Sequence, residues 1–322
     1  MKTIMIEQLA ELLDSNQRFL VASHESPDGD AIASTLALAN ALRERGKDVV
    51  ALNRDGVPGD YRFLPGWEQV VTGVAAGTHF DVGIVLDAGE LRRAGDWIRR
   101  VCRTLVNIDH HPHSENFGDL YWVDENASAT GVLVYRLLRQ AGWPISRDVA
   151  TCIYTTILSD TGSFRYSNAD PEAFRVAGEM VALGVDPWEI ASGLYESQEE
   201  VRLRLLALAL PTLAVAPCGT FAAITVTSDM FAATGATAEH TDRFINYPRS
   251  VRGVEVAIFF RQVGPARFKV GFRSKGKIDV GALSREFSGG GHHNAAGAMV
   301  EGELPAVRDL VFKRLGELLA GH

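Results

Sequence analysis

The chain has 322 residues, of which 46% are apolar and 22% charged, with a formal net charge of −8, and its mean hydropathy is near zero. That composition is ordinary for a folded protein of about two domains. No stretch supplies the roughly 18 uninterrupted apolar residues of a transmembrane helix, since the run Val201 to Ala216 is broken by Arg202, Arg204 and Pro211. The charge is uneven: from Val215 onward the balance is +3, and before it −11. Carboxylates that hold cations, opposite a surface that holds an anion, would give such an imbalance, although two ordinary solvated surfaces would as well.

The chain opens with MKTIMIEQLAELLDSN, where Glu7 and Glu11 interrupt the apolar pattern. It predicts an amphipathic helix rather than a signal peptide. Arg18 to Ser23 reads as a strand, a helix follows over about Asp30 to Arg45, and Asp48 to Leu52, Val82 to Leu86 and Thr104 to Ile108 read as further strands. Continuously apolar strands separated by helices indicate an α/β fold with a mostly parallel sheet and helices on both faces. After Asn126 the pattern is helical over Ser128–Ala141, Ser146–Leu158, Pro171–Leu183 and Pro187–Tyr195. Ser197 to Leu210 predicts a connecting helix ended by Pro211. Beyond it lie strands over Phe221–Val226, Val254–Val263 and Ala266–Phe272, the last two joined as a hairpin by Gly264-Pro265. A helix over Val280–Phe287, a glycine loop at Gly289–Gly291 and a final helix from Leu304 close a smaller α/β domain. The expected domains are residues 1–190 and 215–322, with a helical linker over 191–214. Cys102, Cys152 and Cys218 are scattered and form no CxxC pair, which points to free buried thiols in a reducing cytoplasm.

Hard metal ligands occur at four places. They are Ser23-His24-Glu25-Ser26-Pro27-Asp28-Gly29-Asp30, Asp87 after a strand, Asp109-His110-His111 after another, and Ser159-Asp160 at a helix end. Residues just past the carboxyl ends of parallel strands converge on one crevice, so residues 24, 28, 30, 87 and 110 are expected to share a site. Carboxylates with a few imidazoles suit Mn²⁺ or Mg²⁺, and no cysteine is present at these places. Several aspartates in one site call for more than one divalent charge, and two ions can activate water and clamp a phosphoryl oxygen. Singly, each of these residues reads more simply as a turn or a helix cap. Four clusters at matching topological positions favour a metal site.

The blocks SHESPDGDAIAS, VLDAGE, NIDHHPHSENFGD and ILSDTGSFRYSNAD resemble, in order, the four motifs of the DHH phosphoesterase superfamily. FRSKGKIDV and GGGHHNAAG resemble its DHH-associated C-terminal domain. Within the superfamily the short length looks most like the NrnA-type group. It implies a Mn²⁺-dependent enzyme, with Mg²⁺ or Co²⁺ as substitutes, that hydrolyses very short single-stranded RNA and 3′-phosphoadenosine 5′-phosphate. Relatives of similar size hydrolyse cyclic or linear dinucleotides. The resemblance implies that His24 and Asp28 bind one ion and that Asp30, His110 and Asp160 bind a second, with Asp87 bridging them. It further implies that Asp109 orients an imidazole and that His111 faces the phosphate, while His113 is a solvated loop residue.

In the C-terminal domain, Gly289, Gly290 and Gly291 would let backbone amides approach an anion. With His292 and Arg273 they form the expected substrate cradle; Lys275, Lys277 and Arg285 stay undecided between attraction and plain surface. The reaction implied is in-line attack that expels a ribose oxygen, with the substrate held across an interdomain cleft wide enough for a few nucleotides. The rivals are an inorganic pyrophosphatase of the DHH type, which would lack the GGGH loop, and a catalytically inactive nucleotide-binding module, which would have lost ligands. The family's dimerisation makes a homodimer a further expectation, and no membrane partner is expected.

Overall fold

The computed structural model describes residues 2–112 and 114–320, with the backbone alone at 2–4, 292 and 320; His113 lies outside the described residues. Two compact units divide between Ser197 and Gln198. The first contains the helices α1 (Lys2–Ser15), α2 (Gly29–Glu44), α3 (Leu91–Ala94), α4 (Ile98–Val101), α5 (Thr130–Gln140), α6 (Arg147–Asp160), α7 (Pro171–Ala182) and α8 (Pro187–Tyr195). Its strands are β1 (Arg18–Ser23), β2 (Asp48–Leu52), β3 (Val70–Val71), β4 (Phe80–Leu86), β5 (Cys102–Asp109) and β6 (Leu120–Val123).

These six strands form one sheet in the order β3-β2-β1-β4-β5-β6, and every pair is parallel. Alternate residues of one strand feed opposite cores. Phe19 and Val21 of β1 pack with α2, α5 and α6, whereas Leu20 and Ala22 pack with Ala94 of α3 and Ile98 of α4. Burial on both faces explains the unbroken apolar runs. The strand order reverses between β1 and β4, so the chain leaves their carboxyl ends in opposite directions and opens a crevice there. β6 was not anticipated from the sequence.

The second unit contains α9 (Glu200–Ala209), α10 (Ser228–Thr234), α11 (Asn246–Ser250), α12 (Val280–Glu286) and α13 (Leu304–Ala320). Its strands are β7 (Ala214–Val215), β8 (Phe221–Val226), β9 (Val256–Gly264), β10 (Arg267–Ser274), β11 (Gly290–His292) and β12 (Ala295–Glu301), in the order β11-β12-β10-β9-β8-β7. The expected hairpin is the antiparallel pair β9–β10. The segment expected to be a connector, α9, instead buries Leu205 and Ala209 against Ile224, Val226 and Phe244 inside this unit. The expected glycine loop is a short strand paired antiparallel with β12, Gly290 opposite Gly297. All three cysteines are free, but Cys218 is exposed rather than buried. Among the described residues no helix is long and apolar enough to cross a membrane.

Candidate metal centre

The crevice at the strand-order reversal gathers side chains from five elements. β1 runs into His24, whose carbonyl accepts a hydrogen bond from Asn53 Nδ2 (2.8 Å). The His24 Nδ1–H donates to the Glu25 carbonyl (2.7 Å), because a carbonyl can only accept. That bond fixes the tautomer and aims Nε2 inward, 3.9 Å from Asp28 Oδ1 and 3.8 Å from Asp87 Oδ2. Burial, opposed by the nearby Asp28, lowers the pKa of His24 and favours the neutral form that ligates metal. Asp28 also caps α2, its Oδ1 accepting from the Ala31 amide (3.1 Å). The cap reading and the ligand reading therefore describe the same carboxylate.

Asp30, in the first turn of α2, is 1% exposed, and among the described residues no lysine or arginine is ion-paired with it. Its two oxygens accept the amides of Thr130 (2.6 Å) and Gly131 (3.1 Å) at the start of α5. Asp87 follows β4 with φ +58°, in the left-handed region that a non-glycine residue enters at a cost. Its amide donates to the Ile108 carbonyl (3.1 Å), and its Oδ1 accepts from the Thr130 hydroxyl (2.9 Å). β5 ends in Asp109, which is fully buried. Asp109 receives the amides of Gly89, His110 and His111 at 2.8–3.1 Å and His111 Nδ1 at 2.8 Å.

The adjacent histidines then diverge. His110 donates from Nδ1 to the Ala127 carbonyl (3.0 Å), and its Nε2 stands 3.6 Å from Asp30 Oδ2, 3.6 Å from Asp87 Oδ1 and 3.8 Å from Asp160 Oδ2. His111 approaches Asp87 Oδ1 at 3.3 Å through Nδ1, the nitrogen that Asp109 already engages. Burial works to lower the pKa of His111, but the hydrogen bond to Asp109 together with the charges of Asp109, Asp28 and Asp160 outweighs it and the net shift is upward. Asp160, the last residue of α6, is held by Asn168 Nδ2 through Oδ2 (3.0 Å) and its carbonyl (3.2 Å).

Three groups of side chains have donor atoms mutually close enough to share an ion: His24, Asp28 and Asp87; Asp30, His110 and Asp160; and Asp87, His110 and His111. The separations of His24 and His110 from the carboxylates they face, 3.6–3.9 Å, are too long for hydrogen bonds yet short enough for ligands of a common ion. Burial first, then repulsion from neighbouring carboxylates, raises the pKa of Asp30 and Asp87 well above the usual range. Burial likewise raises that of Asp160. Carboxylates facing imidazole lone pairs, with no arginine or lysine ion-paired to Asp28, Asp30, Asp87 or Asp160 among the described residues, fit a divalent metal. Thr130, Gly131 and Asn168 were not singled out from the sequence; only Asn168 lay within a recognised block.

Arg273 lies on β10 between Ala257 and Ala295 of the neighbouring strands and donates to its own neighbour's carbonyl, Phe272 O (3.1 Å). Gly289 and Gly291 lean on β12: a Cβ at Gly289 would collide with the Gly297 carbonyl, and one at Gly291 would lie 2.5 Å from Ala295 O. At Gly290 a Cβ would meet only open space. The side chain of His292 lies outside the described residues.

A doubly wound parallel sheet with donors suited to a divalent metal at its switch point defines an α/β protein of the metal-site class. The model of the DHH family, N-terminal domain, matches residues 18–157, and that of the DHHA1 domain matches residues 221–318. The chain is 34% identical over 282 residues to the bifunctional oligoribonuclease and PAP phosphatase NrnA of Thermus thermophilus, covering 88% of this chain and 84% of that one. It is 29% identical to the NrnA of Bacillus subtilis, covering 93% of both. The crystal structure of an exopolyphosphatase-related protein from Bacteroides fragilis superposes with a TM-score of 0.93 at 28% identity, over 99% of this chain and 98% of that one. The chain belongs to the DHH phosphoesterase family, with a DHH domain followed by a DHHA1 domain.

Proposed function

We propose that the protein is a two-ion phosphoesterase that hydrolyses very short oligoribonucleotides and 3′-phosphoadenosine 5′-phosphate to mononucleotides. The observation that carries this is the position of Asp87. Its Oδ2 faces His24 and its Oδ1 faces His110, so one carboxylate serves two donor groups. In this reading His24 and Asp28 hold one ion, Asp30, His110 and Asp160 hold the other, and Asp87 bridges them. The oxygen-rich donor set favours Mn²⁺, with Mg²⁺ or Co²⁺ able to substitute. When bound, the ions would supply Lewis acidity to the phosphoryl group and acidify the attacking water.

The chain's own residues do the rest. Asp109 holds His111 by Nδ1, which sets the ring's orientation and favours its protonated form. His111 is then suited to stabilise charge on the phosphate or to protonate the departing ribose oxygen. Arg273, the Gly290 and Gly291 amides and His292 are then suited to the substrate's remaining anionic groups, whereas the Gly289 amide is already spent on the Ser284 carbonyl (2.9 Å). The relatives named NrnA act on oligoribonucleotides and PAP, which supports the substrate class. A homodimer and a cytoplasmic setting accord with the same reading, the latter with the three free thiols.

The test is a Mn²⁺-dependent hydrolysis panel comparing kcat/KM. Its substrates are diribonucleotides, longer RNA, 3′-phosphoadenosine 5′-phosphate, linear and cyclic dinucleotides, and pyrophosphate. Highest turnover on the first or third class is expected. Tight nucleotide binding with no turnover on any member would instead mean a sensing module.

A further inference from the structure

Between β6 and α5 the chain makes a tight turn, its Ala127 amide bonded to the Asp124 carbonyl (2.9 Å). Five consecutive residues of this turn and helix start, Ala127 to Gly131, touch four of the six side chains proposed as ligands, three directly and one through a single intermediary. The Ala127 carbonyl fixes the tautomer of His110. The Thr130 and Gly131 amides hold both oxygens of Asp30, and the Thr130 hydroxyl holds Oδ1 of Asp87. The Ser128 carbonyl accepts from Asn168 Nδ2 (3.1 Å), the same nitrogen that bonds the Asp160 carboxylate. By contrast, none of these five residues bonds to His24 or Asp28.

Thr130 is the only one of the five to reach two of the carboxylates. Its side chain is fully buried, and its hydroxyl spends its proton on Asp87 rather than on a helix carbonyl. Gly131 makes the arrangement sterically feasible, because a Cβ there would overlap the Thr156 side chain on α6. α5 therefore seats directly against the helix that ends in Asp160. We infer that Ala127–Gly131 is a positioning bracket on the second ion's side of the centre, with Thr130 and, joined to it through the Ser128 carbonyl, Asn168 as the positioning residues. This inference rests on the two-ion reading above.

The experiment compares the metal-free parent with Thr130→Val, Thr130→Ser and Asn168→Ala by Mn²⁺ titration calorimetry, with thermal unfolding as a control. Loss of a hydrogen bond to a ligand characteristically weakens metal affinity by about 10–100-fold. Asn168→Ala is expected to weaken one Mn²⁺ by that factor and to leave the other within about twofold. Thr130→Val, which keeps the amide bond to Asp30 but frees Oδ1 of Asp87, is expected to weaken that same Mn²⁺ most. Thr130→Ser, which keeps the hydroxyl, restores parent-like binding. At saturating Mn²⁺ kcat recovers in Thr130→Val, as it would not if the change had altered substrate handling. Parent-like affinity for both ions in Thr130→Val and Asn168→Ala overturns the bracket and leaves the two-ion site standing. Equal weakening of both ions also overturns it. A parent that binds fewer than two Mn²⁺ instead overturns the two-ion reading itself. Should Thr130→Val fail to fold, Asn168→Ala carries the test alone, and unchanged binding in it defeats the inference.

Discussion

Gly29 and Ser159 meet with no room for a side chain between them: a Cβ on the glycine would fall inside the serine hydroxyl. Each is the immediate neighbour of a carboxylate in the centre, Asp30 on α2 and Asp160 on α6. Helix packing and the spacing of these two carboxylates are therefore set by the same contact. Gly29→Ala should cost about 1–3 kcal/mol from overpacking and draw Asp160 away from Asp30. The expected outcome is a lowered Tm together with a Mn²⁺ requirement raised at least tenfold. A drop in Tm with an unchanged Mn²⁺ requirement would separate the two roles.

The Asp109–His111 bond predicts a pH effect with a definite sign. Against the influence of burial, Asp109 raises the pKa of His111. A His111 that acts as an acid loses its function as pH rises through that value. Asp109→Asn removes the raising charge, so the alkaline fall in kcat should move to lower pH, and kcat near neutrality should drop by about 100-fold. The measurement is a kcat–pH profile at saturating Mn²⁺ and substrate. An alkaline limb that stays in place would show that another group sets it.

Asp30 and Asp87 predict that the metal-free protein loses stability as pH rises. Burial and neighbouring carboxylates raise their folded pKa values, so the native state holds these protons more tightly than the unfolded chain does. The resulting stabilisation is complete below about pH 4 and is lost as pH climbs through the raised values. Asp87→Asn abolishes one of these titrations. Without metal it should melt several degrees above the parent near neutrality, and the gap should close toward pH 4. Saturating Mn²⁺ should reverse the order, since only the parent keeps the shared ligand. Equal melting curves across the range would contradict the assignment.

In the second unit, neighbouring glycines separate packing from recognition. Gly291 has φ +135° and no space for a Cβ, so Gly291→Ala should disturb the β11–β12 pairing and lower Tm. Gly290 faces open space, and Gly290→Ala should fold normally. If the Gly290 amide meets an anion, the added methyl should raise KM about tenfold and leave kcat nearly intact. An unchanged KM would limit the glycine run to a structural role.

The parallel sheet was legible because both faces of its strands are buried, which leaves long apolar runs. The convergence of His24, Asp28, Asp30, Asp87 and His110 was legible because strand ends of a parallel sheet meet on one side. Other features left no local trace. β12 is Ala295-Ala296-Gly297-Ala298 before Met299, too poor in β-branched residues to announce a strand, although burial alternates along it with the period of two that a sheet demands. β11 is mostly glycine, and only its pairing with β12 makes it a strand. Thr130 holds a carboxylate 100 residues earlier in the chain, and neither composition nor spacing marks such a bond. Nor did the sequence reveal that α9 would be claimed by the second unit, since its apolar face names no partner.

The candidate ligands come from both sides of the strand-order reversal, and Asp160 is the last of them along the chain. A polypeptide emerging from the ribosome would hold His24 to His110 well before α6 is made. It could not complete the Asp30, His110 and Asp160 set until then. High-affinity ion capture would thus wait for the end of α6, with α7 and α8 of the first unit still to come, and copies truncated before Asp160 would compete poorly for divalent cations.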